Sequence, residues 1–445
     1  MNAVGRLSAF ALTLAVAAGA AAQSPPPPLP LSAPPPSWKE VAAKQAPPDG
    51  ANGKDAWKAW QPPGQPLTLG QCLAIGQEKQ PAIVAATASL AAAERGYLAL
   101  VGLRRAAELF SPDLPVRRQQ SQRGLTAKCA EVTKVRQENT YDICRLYYTY
   151  VYATQQEQTA SEIVAQLEVF YDLLRDLLKL PPDPKLKVNE FTLGPLDAVI
   201  AEVKDLREKA STGRKKALYA LQEAMGVGPE FEFVPAEKEL PLMGGSVDLD
   251  TVVNLALSRR SELVQAAALV DVTRLEVCAQ EKLGLERRAH TFASGTDLHA
   301  TVIPLPSRNG EYRPGPIPPE MPTEIAGRKE DRVARMREHV RYHEALYEKT
   351  VNLVRLEARN AYLNWEQAVK KMADARERHR RAQDLVEKAR QAATTKMEPE
   401  LLIQTESLAS KAQARYVVAV YDQLLALIAL EKVTAGGVCP TFPQR

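Results

Sequence analysis

Leu67-Thr68-Leu69-Gly70-Gln71-Cys72-Leu73-Ala74-Ile75 lines up without a gap on Val247-Asp248-Leu249-Asp250-Thr251-Val252-Val253-Asn254-Leu255. The same offset of 180 continues through Ile83 and Leu263, Ala86 and Ala266, and Leu90 and Val270. Further along, Arg145 and Tyr148 match Arg359 and Tyr362 at an offset of 214, and Leu218-Tyr219-Ala220-Leu221 matches Leu427-Ile428-Ala429-Leu430 at 209. The changing offset implies an insertion of about 34 residues in the second block. Self-similarity on this scale reads as a tandem duplication, with repeats over 67–235 and 236–439 and a tail over 440–445.

Proline marks the elements inside each repeat. Pro-free stretches run Val116–Leu180, Leu242–Ile303, Thr323–Glu398 and Glu400–Cys439, rich in Ala, Leu, Glu, Lys and Arg. Interior proline breaks helices, so these stretches predict long ones. Each repeat reads as a short helix, a medium helix, a break, a long helix, a tight turn and a second medium helix. In repeat one the predicted spans are Ala82–Phe110, Arg123–Leu180 and Pro195–Met225; in repeat two they are Glu262–His290, Arg328–Ala393 and Glu400–Val433. At 1.5 Å per residue the longest is ~99 Å, roughly the sum of the two medium helices, ~43 and ~52 Å. Two medium helices laid end to end can therefore line one long antiparallel helix. Along the longest, Val351, Val354, Ala358, Ala361, Trp365, Ala368, Met372, Ala375, His379, Ala382, Val386 and Ala389 step by 3 and 4, a heptad with one polar interruption at His379. Ala414, Val417, Tyr421, Leu424 and Ile428 repeat the spacing near the C-terminus. The fold class is mainly α: long antiparallel coiled-coil helices in two tandem repeats, with at most a small β contribution. A single such rod leaves apolar edges, so self-association is expected.

Met1–Arg6, the apolar run Leu7–Ala18 and Ala20-Ala21-Ala22 before Gln23 read as a secretory signal peptide over 1–22. A Pro-rich linker follows over 23–66, with eight prolines between Pro25 and Pro36. The later apolar run Tyr416–Leu430 is interrupted by Asp422 and Gln423 and is too short to span a bilayer, so any membrane insertion uses β-strands. The chain has 45% hydrophobic and 25% charged residues, aromatics at only 6%, and a net charge of +4 over 445 residues, which argues against a nucleic-acid partner. Five cysteines, Cys72, Cys129, Cys144, Cys278 and Cys439, show no framework spacing and read as small core residues. His339 and His343 stand at i, i+4, but without HExxH or a third ligand they read as a helix surface rather than a metal site. With no nucleophile elbow, phosphate loop or CxxC, no catalytic residue, cofactor or metal is assigned, and the chain reads as a non-enzyme.

The two repeat openings, Ala361-Tyr362-Leu363-Asn364 and the Ala-Leu-rich closing helix before Gly436-Gly437 together resemble the TolC-like outer-membrane efflux channel family, from about Leu67 onward. The resemblance implies a homotrimer whose helices form a periplasmic tube continuous with a twelve-strand barrel in the outer membrane. Each repeat would supply one hairpin in the break between medium and long helix. It also implies a passive exit duct of a tripartite efflux or type I secretion system, docked by a periplasmic adaptor and driven by an inner-membrane transporter. The breaks depart from this pattern. In repeat one, Ser111–Arg123 carries Pro112 and Pro115 and holds no ~10-residue alternating strand. In repeat two a degenerate hairpin over 291–326 offers one alternating limb, Phe292 to Val302, and a return limb with seven prolines between Pro304 and Pro322. The helix tips, Leu180-Pro181-Pro182-Asp183-Pro184 and Lys396-Met397-Glu398-Pro399, make Asp183, Glu190, Lys396 and Glu398 candidates for a charged aperture, with solvated turn charges as the alternative. A relative that keeps only the periplasmic coiled coil, as a spacer or accessory subunit, and an unrelated secreted coiled-coil protein are the competing readings.

Overall fold

The computed structural model describes residues 66–104, 106–179, 190–243, 247–284, 288–292, 321–393 and 399–438. The signal-peptide and linker readings over 1–65 lie outside them, as does most of the alternating limb. Nine helices run through the described residues: α1 (Leu69–Lys79), α2 (Pro81–Gly102), α3 (Ala107–Phe110), α4 (Leu114–Leu177), α5 (Glu190–Ala224), α6 (Leu249–Arg259), α7 (Ser261–Lys282), α8 (Lys329–Ala393) and α9 (Pro399–Val433). Four two-residue strands accompany them. β1 (Pro66–Leu67) pairs in parallel with β2 (Val234–Pro235), and β3 (Ala289–His290) pairs antiparallel with β4 (Glu324–Ile325).

Helix lengths recur in order. The series α1, α2, α4, α5 runs 11, 22, 64 and 35 residues, and α6, α7, α8, α9 runs 11, 22, 65 and 35. The joints recur as well. Thr68 caps α1 in a capping box with Gln71, and Asp248 caps α6 by accepting from the backbone of Asp250 and Thr251. Gln80 and Arg260, both extended (ψ 118° and 123°), break short from medium helix. Each then reaches back to the end of a closing helix: Gln80 Nε2 donates to Ala224 O (3.0 Å), and Arg260 Nη1 to Val433 O (3.4 Å). Those carbonyls are among the ones that a helix C-terminus leaves without intrahelical donors.

The closing helices end alike. Val227 N donates to Gln222 O and Gly436 N to Glu431 O, the long bond of a Schellman turn. The left-handed residue in between is Gly226 (φ 68°) in one case and Ala435 (φ 55°) in the other. Since the left-handed region costs an L-residue roughly 1–2 kcal/mol, Ala435→Gly should stabilise the protein by about 0.5–1 kcal/mol after the entropy that glycine adds to the unfolded chain. Thermal unfolding at matched protein concentration reads that gain.

The heptad read from the sequence faces inward. Val354, Ala358, Ala361, Trp365, Ala368, Ala382, Val386 and Ala389 are buried, while Val351, Met372, Ala375 and His379 are half-buried. The main core gathers Cys72 of α1, Ile143, Cys144, Tyr147 and Val151 of α4, Leu221 of α5 and Met225 just past its end, Val252 and Ala256 of α6, and Leu424, Ile428 and Leu430 of α9. Cys72 and Cys144 stand where the second half places Val252 and Ala358, so they act as small apolar residues. Burial pushes both thiols up to about 12. The Tyr147 hydroxyl ties the first half closed, donating to Leu67 O (3.0 Å) and accepting from Ala236 N (3.1 Å) beside β1 and β2.

The first break differs from its sequence reading. The medium helix stops at Gly102 rather than Phe110, and the long helix starts at Leu114 rather than Arg123. Pro115 lies in the first helical turn, where its missing N–H has no intrahelical partner to lose. The connection is therefore shorter than expected and holds α3. Likewise α5 begins at Glu190, five residues before the proline that marked it, and α7 ends at Lys282 rather than His290.

Candidate functional site

Of the aperture candidates, Glu190 is the first residue of α5, while Asp183, Lys396 and Glu398 lie outside the described residues. The elements nearest the tips are those that flank them: α4 ends at Leu177, α8 at Ala393, and α9 begins at Pro399.

The built polar site lies at the break of the second half. Glu276 of α7 is 0% exposed. Its Oε2 binds Arg117 Nη1 in a close ion pair and accepts from Gln120 Nε2 (2.9 Å) and Phe292 N (3.0 Å). Its Oε1 accepts from Arg117 Nη2 (3.2 Å) and Gln280 Nε2 (2.9 Å). Arg117 completes its fork with Asp113 (2.9 Å), Gln120 Oε1 (2.9 Å) and His290 O (3.0 Å). A buried carboxylate is tolerable only when paired and fully hydrogen-bonded, as this one is. The cluster joins α4, α7 and the entering strand β3, so it fixes where the chain leaves the helices.

The return limb is held beside it. Thr291 N donates to Thr323 O (3.0 Å), and Ile325 is buried. Buried Arg332 donates from Nε to Gln280 Oε1 (3.0 Å), from Nη2 to Leu283 O (2.9 Å) and from Nη1 to Gly327 O (2.8 Å). Phe292 and Met321 pack with Ala127, Ala268, Leu269 and Val272 beneath. Arg118 is the counterpart of Arg332 at the offset of 214, and Leu103 that of Leu283 at 180. Arg118 likewise donates to Leu103 O (2.8 Å), and also to Leu100 O (2.9 Å) and Glu108 Oε1 (2.8 Å). Both arginines cap the end of a medium helix. Glu276, however, corresponds to Gly96, and the first half has no comparable anchor at that position.

Neighbour relations among the helices are also unequal. The long helices α4 and α8 pair with α5 and α9, and α7 packs against both of them. Its buried set includes Ser261, Gln265, Ala266, Leu269, Val272, Thr273 and Gln280. Its counterpart α2 packs on α4 and buries only Ile83, leaving Val84, Leu98 and Val101 exposed.

At the joint of α6 and α7, Arg260 pairs with Glu262 (2.8 Å) and Glu357 (3.0 Å). Burial opposes both charges, but the pairing prevails: the Glu262 carboxyl lies below its ordinary range and the Arg260 guanidinium above. His343 is buried against α7 with Nδ1 at 2.9 Å from Thr273 Oγ1, and its Nε2 has no hydrogen-bond partner among the described residues. Burial, assisted by the charge of His339, lowers His343 to about 4 from its ordinary 6.5. The unfolded chain thus binds this proton first. The stabilising difference is complete above pH ~6.5 and is lost as pH falls toward 4, by about 3 kcal/mol in all. His343→Gln should flatten that segment of the stability–pH curve, as read by denaturant unfolding across the window.

Among the described residues, no helix is long and apolar enough to cross a membrane. No family model and no curated protein sequence matches the chain. Solved structures do: the chain has the fold of a TolC-like outer-membrane channel protomer. The open-state MtrE outer-membrane channel of Neisseria gonorrhoeae superposes with a TM-score of 0.63 at 14% identity, over 84% of this chain and 91% of that one. The CmeC outer-membrane channel of Campylobacter jejuni gives 0.63 at 12%, over 84% and 87%. The outer-membrane protein VceC of Vibrio cholerae gives 0.61 at 13%, over 83% and 96%.

Proposed function

We propose that this chain is a tandemly duplicated channel component of the bacterial envelope: an exported, non-enzymatic outer-membrane protein with a long periplasmic extension. It acts as a passive exit duct for substrates driven by an inner-membrane transporter through a periplasmic adaptor. The repeats are 67–235 and 236–439, behind a cleaved leader over 1–22 and the linker over 23–66.

The observation that carries the reading is the unequal setting of α2 and α7. Repeating the relation between the halves once more brings α8 of a second copy onto the open flank of α2, as α4 lies on α7. Such a contact is head-to-tail and closes into a ring when the rotation allows, which makes a tube. The ring is read as a homotrimer, as the TolC-like resemblance of the sequence implies. The helix tips, with Asp183, Glu190, Lys396 and Glu398, then face the adaptor.

One observation favours the second reading, a TolC-like spacer or accessory protein without a pore. The first break holds α3 in place of a hairpin. One hairpin per copy gives six strands in a trimer, fewer than the roughly eight of the smallest membrane barrels. Fractionation of the native envelope separates the two. The channel reading expects a trimer in the outer-membrane fraction that needs detergent to leave it. Release by salt or osmotic shock, with solubility in plain buffer, overturns that reading in favour of the spacer.

A further inference from the structure

The turn between α2 and α4 ends in two large, exposed apolar side chains that no described residue covers. Leu109 is 84% exposed and Phe110 88%. Isolated exposed leucines are ordinary, but adjacent Leu-Phe at the apex of a four-residue helix is a small convex patch. Its base is held firmly: Arg118 grips Glu108, Leu100 O and Leu103 O together. The next residue on α4, Arg117, reaches Glu276 and His290 O, so the turn stands beside the base of the strand pair of the second half. The helix-to-helix contact proposed for the ring does not extend to it. The helical correspondence between the halves ends near Leu103 with Leu283 and resumes on α4 at Pro115 with Lys329, so residues 104–114 have no helical counterpart. Beside the patch Arg104 is exposed, while Glu108 is neutralised by Arg118 and Asp113 by Arg117.

We propose that Leu109 and Phe110 form a wedge that enters the headgroup region of a phospholipid bilayer, with the exposed Arg104 beside the phosphates. Repeat one would then touch the membrane through two side chains where repeat two has its inserted stretch. An aromatic ring with a flanking cation suits that interface, and a cation near an anionic surface adds to the attraction. The inference rests on the membrane reading given under Proposed function.

The test is Phe110→Trp in the full mature chain, reconstituted into vesicles of phosphatidylethanolamine and phosphatidylglycerol. The ring is exposed, so the substitution leaves the fold intact, and the parent's own tryptophan emission is subtracted. The expected result is added emission that is blue-shifted, quenched by phospholipids brominated near the headgroup, and shielded from aqueous iodide. In parallel, Leu109→Ser with Phe110→Ser should weaken binding to the same vesicles by about tenfold or more in any state not otherwise inserted. Added emission that iodide quenches and bromolipid does not overturns the wedge, because the turn then lies in water. Emission shielded from both quenchers overturns it in favour of cover by a second copy. Either result leaves the channel reading standing. A parent protein that never associates with vesicles overturns both.

Discussion

Glu276→Ala should be among the most damaging single substitutions in the chain, costing about 3–5 kcal/mol. Alanine removes the acceptor for Arg117, Gln120, Gln280 and Phe292 N while all four stay buried or half-buried around it. The loss is that of stranding a cation and several donors, not only of one ion pair. Glu276→Gln should cost less, because an amide oxygen still accepts but cannot balance the guanidinium. Replacing Glu276, Arg117, Gln120 and Asp113 together by Leu, Met, Leu and Asn should recover much of the loss, since neither the guanidinium nor its second carboxylate partner is then left as a stranded charge. Thermal unfolding at fixed concentration measures the series, and amide exchange locates the effect at Thr291 and Phe292. A Glu276→Ala protein as stable as the parent contradicts the assignment of this cluster as the anchor of β3.

Gly226→Ala should cost about 2–4 kcal/mol. Two terms add. The residue sits at φ 68°, where an L side chain is strained by roughly 1–2 kcal/mol. A Cβ there also meets backbone, at 2.6 Å from both Gln80 Cα and Lys79 O, and backbone cannot rotate away as a side chain can. Overpacking of that kind typically adds about 1–3 kcal/mol. The matching joint tolerates Ala435 at φ 55°, so the left-handed turn alone does not demand glycine. What demands it is the close approach of the α1–α2 joint. Gly226→Ala and Ala435→Gly should therefore move stability in opposite directions, as compared by unfolding at matched concentration.

Much of this architecture is legible in the residues. The heptad from Val351 to Ala389 marks the inward face of α8, because a 3.5-residue repeat depends on composition along one helix only. Offsets of 180, 214 and 209 place joints that the structure builds from the same hydrogen bonds, Gln80 with Arg260 and Arg118 with Arg332. The first break differs from its sequence reading because proline ordinarily marks a stop, whereas Pro115 sits in the one turn that accepts it. The anchor around Glu276 carries no sequence motif, since Arg117 and Glu276 are 159 residues apart. Extending the repeat register to Glu276 sets a carboxylate against Gly96, but charged residues replace apolar or small ones at Ala91/Asp271, Val101/Glu281 and Gly102/Lys282 as well, so the register alone does not single it out. Three of the four aperture candidates fall outside the described residues, and the fourth, Glu190, opens a helix, so turn chemistry located the tips without assigning their roles.

In the proposed ring, α2 of one copy meets α8 of the next as α7 meets α4 within a chain. Within the chain, Gln120 Nε2 bonds Val272 O at 3.0 Å and Arg123 pairs with Asp271 at 3.4 Å. The register carries the first of these contacts onto Ala334 and Ala92. Both alanines are exposed in the single chain, and their small size permits close approach of the two helices. The decisive measurement is disulfide cross-linking of the Ala92→Cys, Ala334→Cys double variant in the native envelope, with each single variant as control for the native thiols. The account predicts a covalent ladder of two and three copies that stops there, formed by the double variant and by neither single one. A double variant that stays monomeric, or a ladder that grows without limit, would contradict a closed ring of these helices.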